Sequence, residues 1–186
     1  MTLSFGAHVS AQGGVDLALG RAHDFDMTSC QIFTKNERQW ASKPLDPAVV
    51  GRFIALDKEY GFDHLVAHDS YLINIASPVE ENREKSRLAL AHELERCDTL
   101  GVPYLVSHPG AHMNDGVEAG IVRVVESINQ IHRDMPDGKS IILIETTAGQ
   151  GTTLGRTFDE IGAMIEGLID VAAVWVEARR GDRAGA

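Results

Sequence analysis

The sequence predicts an α/β fold, a parallel sheet covered by helices, on three observations. Short apolar runs alternate with amphipathic helical segments five times along the chain. Three of those runs, LVAHDS, LVSHPG and ILIETTAG, close on a residue that can bind metal: His68, His108 and Glu145. The intervals, 40 residues from His68 to His108 and 37 from His108 to Glu145, each fit one strand, one helix and two loops, a unit of at least about 30 residues. Parallel strands closed into a barrel deliver their C-terminal residues to one rim, so the two imidazoles and the carboxylate can meet on one divalent ion.

Each element has its own signal. SFGAHVS reads as a first strand, followed by GGVDLALGRAHDF, in which Val15, Ala18, Leu19 and Ala22 form the apolar stripe of a helix. SCQIFTKN is a second strand. Asp46 and Pro47 then open a second helix as N-cap and first-turn proline, and Gly61 ends it. HLVAHDSY is the third strand, and Ser77-Pro78-Val79-Glu80 has the capping-box pattern for a helix burying Leu90, Leu94 and Cys97 up to Gly101. VPYLVSHPG is the fourth strand, with Asp115 and Glu118 repeating the capping pattern ahead of Ile121, Val124, Val125 and Ile128. SIILIETTAG is the fifth, and Thr157 with Glu160 caps a helix whose stripe is Phe158, Ile161, Ile165 and Leu168. AAVWV is the one further strand the remaining chain offers. A complete eight-unit barrel takes about 250 residues, so the expectation for 186 residues is the first five to six units of a TIM (β/α)8-type barrel.

Bulk properties narrow the function. With 44% hydrophobic and 24% charged residues, the chain has the composition of an ordinary globular domain. No run approaches the ~18 apolar residues of a spanning helix, and MTLSFGAHVS lacks the charged start and long apolar stretch of a signal peptide, so a cytoplasmic protein without membrane contact is expected. Cys30 and Cys97 form no C-x-x-C pair and read as small buried residues. The net charge of −10 argues against nucleic-acid binding by overall positive field, so a DNA binder of this composition must rely on metal and a local basic loop. The sequence identifies no protein partner.

Six segments, GAHVSAQGG, QIFTKNERQW, HDSYLIN, EKSR, HPGAH and IETTAGQGTTLG, occur in an order that resembles endonuclease IV, the zinc-dependent apurinic/apyrimidinic endonucleases built on a TIM barrel. The likeness runs from residue 3 to about 170. It implies DNA repair by cleavage of the phosphodiester 5′ to an abasic site in double-stranded DNA, with three zinc ions. It further implies that His68, His108 and Glu145 bind the first zinc, that Glu145 has the catalytic role and bridges to the second, and that Arg38, Tyr71 and Leu72 enter the DNA at the lesion. Zinc held by nitrogen and oxygen with an open position brings its water to a pKa near 7, which suits phosphodiester hydrolysis. An apolar wedge beside an aromatic suits extrusion of an abasic nucleotide.

Beyond the fifth helix the family continues into a Cys-x-Asp-Thr-Cys-His motif and two more units. From Val171 this sequence turns instead to Ala, Arg and Gly, as expected of a truncated or frame-shifted product. The expected division is therefore 1–170 as the first part of the endonuclease barrel and 171–186 as a divergent tail, with only the first zinc site keeping its full ligand set.

Blander readings compete at each position. A histidine at a strand end is by itself more often structural than ligating, and it is the combination of two with a glutamate that favours a metal. His8, at the first strand's end, and His112, in the loop after HPG, are further candidates to line the site, with structural support as the alternative. His23, His64, His92 and His132 are expected to stand apart. Arg38 alone would read as part of a solvated loop, and Tyr71 with Leu72 as cover for the barrel mouth. AGQGTTLG lacks the Lys-Ser/Thr ending of a P-loop and reads as a loop bringing backbone close to the site. The competing functions are a metal-dependent sugar isomerase or epimerase on a related barrel, which has no use for the KNERQW and HDSYLIN loops, and a non-catalytic fragment.

Overall fold

A computed structural model describes residues 3–169 and, for the backbone alone, 174–177. The strands are β1 (Gly6–His8), β2 (Ser29–Phe33), β3 (His64–His68), β4 (Tyr104–Ser107), β5 (Ile141–Glu145) and β6 (Val174–Glu177). The helices are α1 (Val15–His23), α2 (Pro47–Tyr60), α3 (Glu80–Leu100), α4 (Val117–Asp134) and α5 (Phe158–Glu166). The strands form one sheet in chain order, β1 to β6, and the β1–β2, β2–β3 and β5–β6 pairs are parallel. β6 falls on the run AAVWV, with Leu143 opposite Trp175 and Glu145 opposite Glu177. The expected change of character at about residue 170 falls largely outside the described residues.

Two compact units divide the chain. The first, Met1–Leu72 with Ala89–Leu105 and Asp137–Ile141, buries Ala18, Leu19 and Ala22 of α1 with Ile32, Phe53, Leu65, Leu90 and Cys97. The α1 stripe therefore faces the core as its spacing demands. The buried acid of α1, Asp16, meets Arg52 of α2 at 2.7 Å. Helix α2 begins and ends as its sequence dictates: Asp46 Oδ1 accepts the Ala48 N–H at 2.8 Å, and Gly61 adopts the left-handed cap at φ 64 that a residue with Cβ would resist.

The second unit, Ile73–Leu88 with Val106–Pro136 and Ile142–Ala186, buries Ile75, Val124, Ile128, Ile144, Leu154, Ile161 and Met164. Arg123 and Ser127 of α4 hold the chain that leads into α3, donating to the carbonyls of Ala76 and Ile75 at 2.8 and 3.1 Å.

Three expected details differ. The cap of α4 is Gly116, with no side-chain bond, because Asp115 turns to Arg123 at 2.6 Å instead. Phe158 is exposed, so the buried side of α5 is Ile161, Met164 and, just beyond its end, Leu168. Thr157 caps α5 through the Glu160 N–H as expected, but the Glu160 carboxylate reaches past it to the N–H groups of Gly155 and Arg156. Those donors lie nearer the preceding loop, where a buried carboxylate is better satisfied.

Candidate metal centre

β3 ends on His68, which is 1% exposed. Its Nδ1 lies 2.8 Å from the Asp69 carbonyl oxygen and 3.5 Å from the Asp69 carboxylate. Both neighbours are acceptors, an arrangement that favours a proton on Nδ1 and with it the tautomer whose Nε2 can bind a metal. β4 ends at Ser107, placing His108 one residue beyond the strand, half-buried. β5 ends on Glu145, 1% exposed. His108 Nε2 stands 3.8 Å from Glu145 Oε2. One ligand atom each from His68, His108 and Glu145 lie within 4.8 Å of one another.

That donor set suits zinc. Bonds of about 2.0–2.2 Å in a tetrahedral arrangement separate ligand atoms by roughly 3.3–3.6 Å, so small side-chain rotations bring the three into reach of one ion. Two neutral nitrogens and one carboxylate oxygen would give a zinc complex a net charge of +1, which would favour a bound hydroxide or a phosphate oxygen.

The glycine-rich loop after β5 approaches the site as expected. A Cβ on Gly155 would sit 2.9 Å from Pro109 and 3.3 Å from the Glu145 carbonyl oxygen, and the φ of 78 there adds a second reason for glycine.

The remaining sequence candidates are distributed as follows. His8 donates or accepts at Nδ1 with Gln31 at 2.9 Å, and its ring lies 4.4 Å from Phe33 and 6.5 Å from His68, centroid to centroid. It stands beside His68. His112 has a structural role, since its Nδ1 accepts the Gly116 N–H at 3.2 Å at the start of α4. Tyr71 is 59% exposed, with its ring 5.4 Å from Phe33 and 5.5 Å from His68, and Leu72 is half-buried. Arg38 has its side chain 83% exposed, with Glu37 3.5 Å away.

Several residues that the sequence does not single out hold these groups in place. Ser70 donates to the Glu37 carbonyl at 2.7 Å, joining the loop that carries Tyr71 to the loop that carries Arg38. Under the latter loop, Lys35 pairs with Glu93 at 3.0 Å with both side chains at 2% exposure or less, and Thr34 donates to Glu93 at 2.8 Å. Arg96 donates to the carbonyls of Thr34 and Lys43 and to the Thr34 hydroxyl. Burial holds the Arg96 pKa below its ordinary value, offset in part by Glu93. A cleft of about 930 Å³ opens above this network, between the β1–α1 and β2–α2 loops. Glu93 and Arg96 are three residues apart on α3, a spacing that puts two charges on one helical face. Two charges on the face that also carries Leu90, Leu94 and Cys97 were the available signal.

Two histidines and a glutamate at the strand ends of an α/β sheet form a candidate metal site of the barrel type. The chain belongs to the xylose isomerase-like TIM barrel family, whose model matches residues 19–176. Within that family the similarity is to endonuclease IV. A Chloroflexus aurantiacus protein described as a probable endonuclease 4 is 48% identical over 162 residues, covering 87% of this chain and 57% of the relative. Endonuclease IV from Thermus thermophilus matches in structure with a TM-score of 0.81 and 33% identity, covering 95% of this chain and 62% of that one. The chain thus spans somewhat over half the length of such relatives. A D-psicose 3-epimerase matches at TM-score 0.73 and 15% identity, covering 95% of this chain and 63% of that one, a likeness of fold alone. Among the described residues, no helix is long and apolar enough to cross a membrane.

Proposed function

We propose that this chain forms the first metal-binding portion of a zinc-dependent endonuclease that hydrolyses the phosphodiester 5′ to an abasic site in duplex DNA. The observation that carries the reading is the convergence of His68, His108 and Glu145 within 4.8 Å, in a chain 48% identical to a probable endonuclease 4. Zinc bound there supplies a Lewis acid and a water acidic enough to ionise near neutral pH.

The protein's own groups orient that chemistry. Asp69, through its carbonyl and carboxylate, fixes the His68 tautomer and ring plane. Glu145 brings a negative charge into a nearly dry position, where it holds a cation more strongly than it would in water. Arg38, with its side chain 83% exposed, supplies local positive charge to a chain of net charge −10. Exposed Tyr71 and half-buried Leu72 offer the aromatic and apolar surface that occupies the space a missing base leaves. The exposure of Arg38 and Tyr71 favours DNA over a small sugar, which would be enclosed by its site.

The test is a binding and nicking assay on the full chain loaded with zinc, using a duplex with one tetrahydrofuran abasic analogue and the intact duplex as control. A zinc-dependent preference for the abasic duplex, with any nick falling 5′ to the lesion, supports the reading. Equal affinity for the two duplexes, with and without zinc, defeats it.

A further inference from the structure

Asn74 closes the HDSYLIN segment, and its carboxamide binds the loop that carries His108. Oδ1 accepts the Ala111 N–H at 2.9 Å, and Nδ2 donates to the Ala111 carbonyl at 3.1 Å. The same Oδ1 also accepts the Ala76 N–H at 3.2 Å. Asn74 is itself anchored: its N–H donates to Ser86 Oγ at 3.0 Å, and that hydroxyl donates to the Asn82 carbonyl at 2.8 Å. Ser86 is 1% exposed and belongs to the EKSR segment. EKSR, a motif with no assigned chemistry, thus meets the end of the HDSYLIN segment in one hydrogen-bonded unit.

Gly110 is fitted to this unit. Its φ is +94, and a Cβ there would lie 2.3 Å from Asn74 Oδ1. The far side of the loop is fastened by the Leu154 N–H to the Gly110 carbonyl and by the His112 N–H to the Thr152 carbonyl, each at 2.9 Å. His108 therefore has strand β4 immediately before it and, three residues after it, a residue held through both its N–H and its carbonyl. Proline at 109 leaves little backbone freedom between.

We propose that Asn74 is a positioning residue for the metal centre: its two-point bond to Ala111 sets the backbone of 108–111 and so the approach of the His108 imidazole to the ion. The proposal rests on the metal-centre reading above. A ligand that is half-buried and one residue outside its strand needs such a clamp, because a mobile ligand loses conformational freedom when the ion binds. An amide is the right group here, because only Asn or Gln offers an acceptor and a donor in one plane, matching a backbone N–H and C=O.

The experiment compares wild type, Asn74→Ala, Gly110→Ala and His108→Ala by zinc titration against a chelator, by the visible spectrum with Co²⁺, and by hydrogen exchange of residues 108–112 without metal. Asn74→Ala is expected to weaken zinc by about 10–100-fold, as loss of groups that orient metal ligands does. It should also shift the Co²⁺ spectrum towards that of His108→Ala and speed exchange at 108–112. Gly110→Ala, which removes no polar group but pushes a Cβ against Asn74 Oδ1, should act in the same direction, and should add less in an Asn74→Ala background, where the clash with Oδ1 is gone and only the backbone strain remains. Zinc affinity within about twofold of wild type in Asn74→Ala, with an unchanged Co²⁺ spectrum, overturns this proposal alone, being well short of the loss expected for an orienting group. A wild-type chain that takes up no zinc defeats the metal-centre reading and the proposal with it.

Discussion

His108 Nε2 and Glu145 Oε2 lie 3.8 Å apart, beyond hydrogen-bond distance and close to the separation of two ligands on one ion. The glutamate is almost wholly buried while the histidine is only half-buried, so a cation reaching the pair from the histidine side meets a carboxylate that water screens poorly.

Saturating zinc is accordingly expected to raise the melting temperature of the wild-type chain. Binding to the native state alone stabilises by about 4 kcal/mol at roughly a thousandfold excess over Kd. Glu145→Gln keeps the shape but removes the charge, and should lose most of that increment. Differential scanning fluorimetry with and without zinc checks it; equal zinc-induced shifts in the two proteins would reject the role of the carboxylate.

The buried Lys35–Glu93 pair gives a second expectation. Glu93→Ala leaves the lysine with no counter-charge at that contact and removes the acceptor of Thr34, so it should destabilise by about 3–5 kcal/mol. Glu93→Gln keeps an acceptor for Thr34 and should cost less. Urea denaturation of both variants decides, and a cost below about 1 kcal/mol for Glu93→Ala would mean that the pair adds no more than an exposed one to the loop's hold.

Tyr71 and Leu72 bear on DNA and not on metal. Tyr71→Ala combined with Leu72→Ala should weaken binding to the abasic duplex by about 10-fold or more while zinc content stays at the wild-type level, because loss of an aromatic stacking surface costs about 1–3 kcal/mol. Fluorescence anisotropy alongside metal analysis measures both, and unchanged affinity would remove the pair from the interface.

The two thiols predict a pH dependence. Burial, with a smaller contribution from Asp57, raises the Cys30 pKa from 9.0 to about 11, and burial raises that of Cys97 as well. Above about pH 9 the unfolded chain ionises these thiols while the folded chain keeps them protonated, so stability is full below that pH and falls as the pH climbs towards about 11. Cys30→Ala should flatten that fall in denaturation curves spanning roughly pH 8 to 10. At about pH 8 the native thiols should resist a disulfide reagent that labels both at once in denaturant.

Much of this was legible in the residues. Asp46-Pro47 and Gly61 bound α2 because cap chemistry is local, and the candidate metal ligands stand at the ends of, or one residue beyond, runs recognisable by their apolar content. The structure departs from the local pattern where tertiary partners outcompete local ones. Asp115 had the spacing of a cap and took Arg123 instead, while Phe158 fell on the α5 stripe and lies at its exposed margin. Asn74 carries no such mark, because its partner Ala111 is 37 residues away in sequence and hydrogen bonding at such range leaves no periodic trace; the charge of Glu93 on an apolar helical face is visible, but its partner Lys35, 58 residues away, is not.

A zinc titration against a chromophoric chelator, run on wild type, His68→Ala, His108→Ala and Glu145→Gln, decides whether these three side chains share one ion. The tightest equivalent of zinc on the wild-type chain is expected to be weakened at least about 100-fold by each substitution, since each removes one of three ligands to the same ion. A first equivalent that binds all four proteins alike would contradict it, placing the metal elsewhere on the chain.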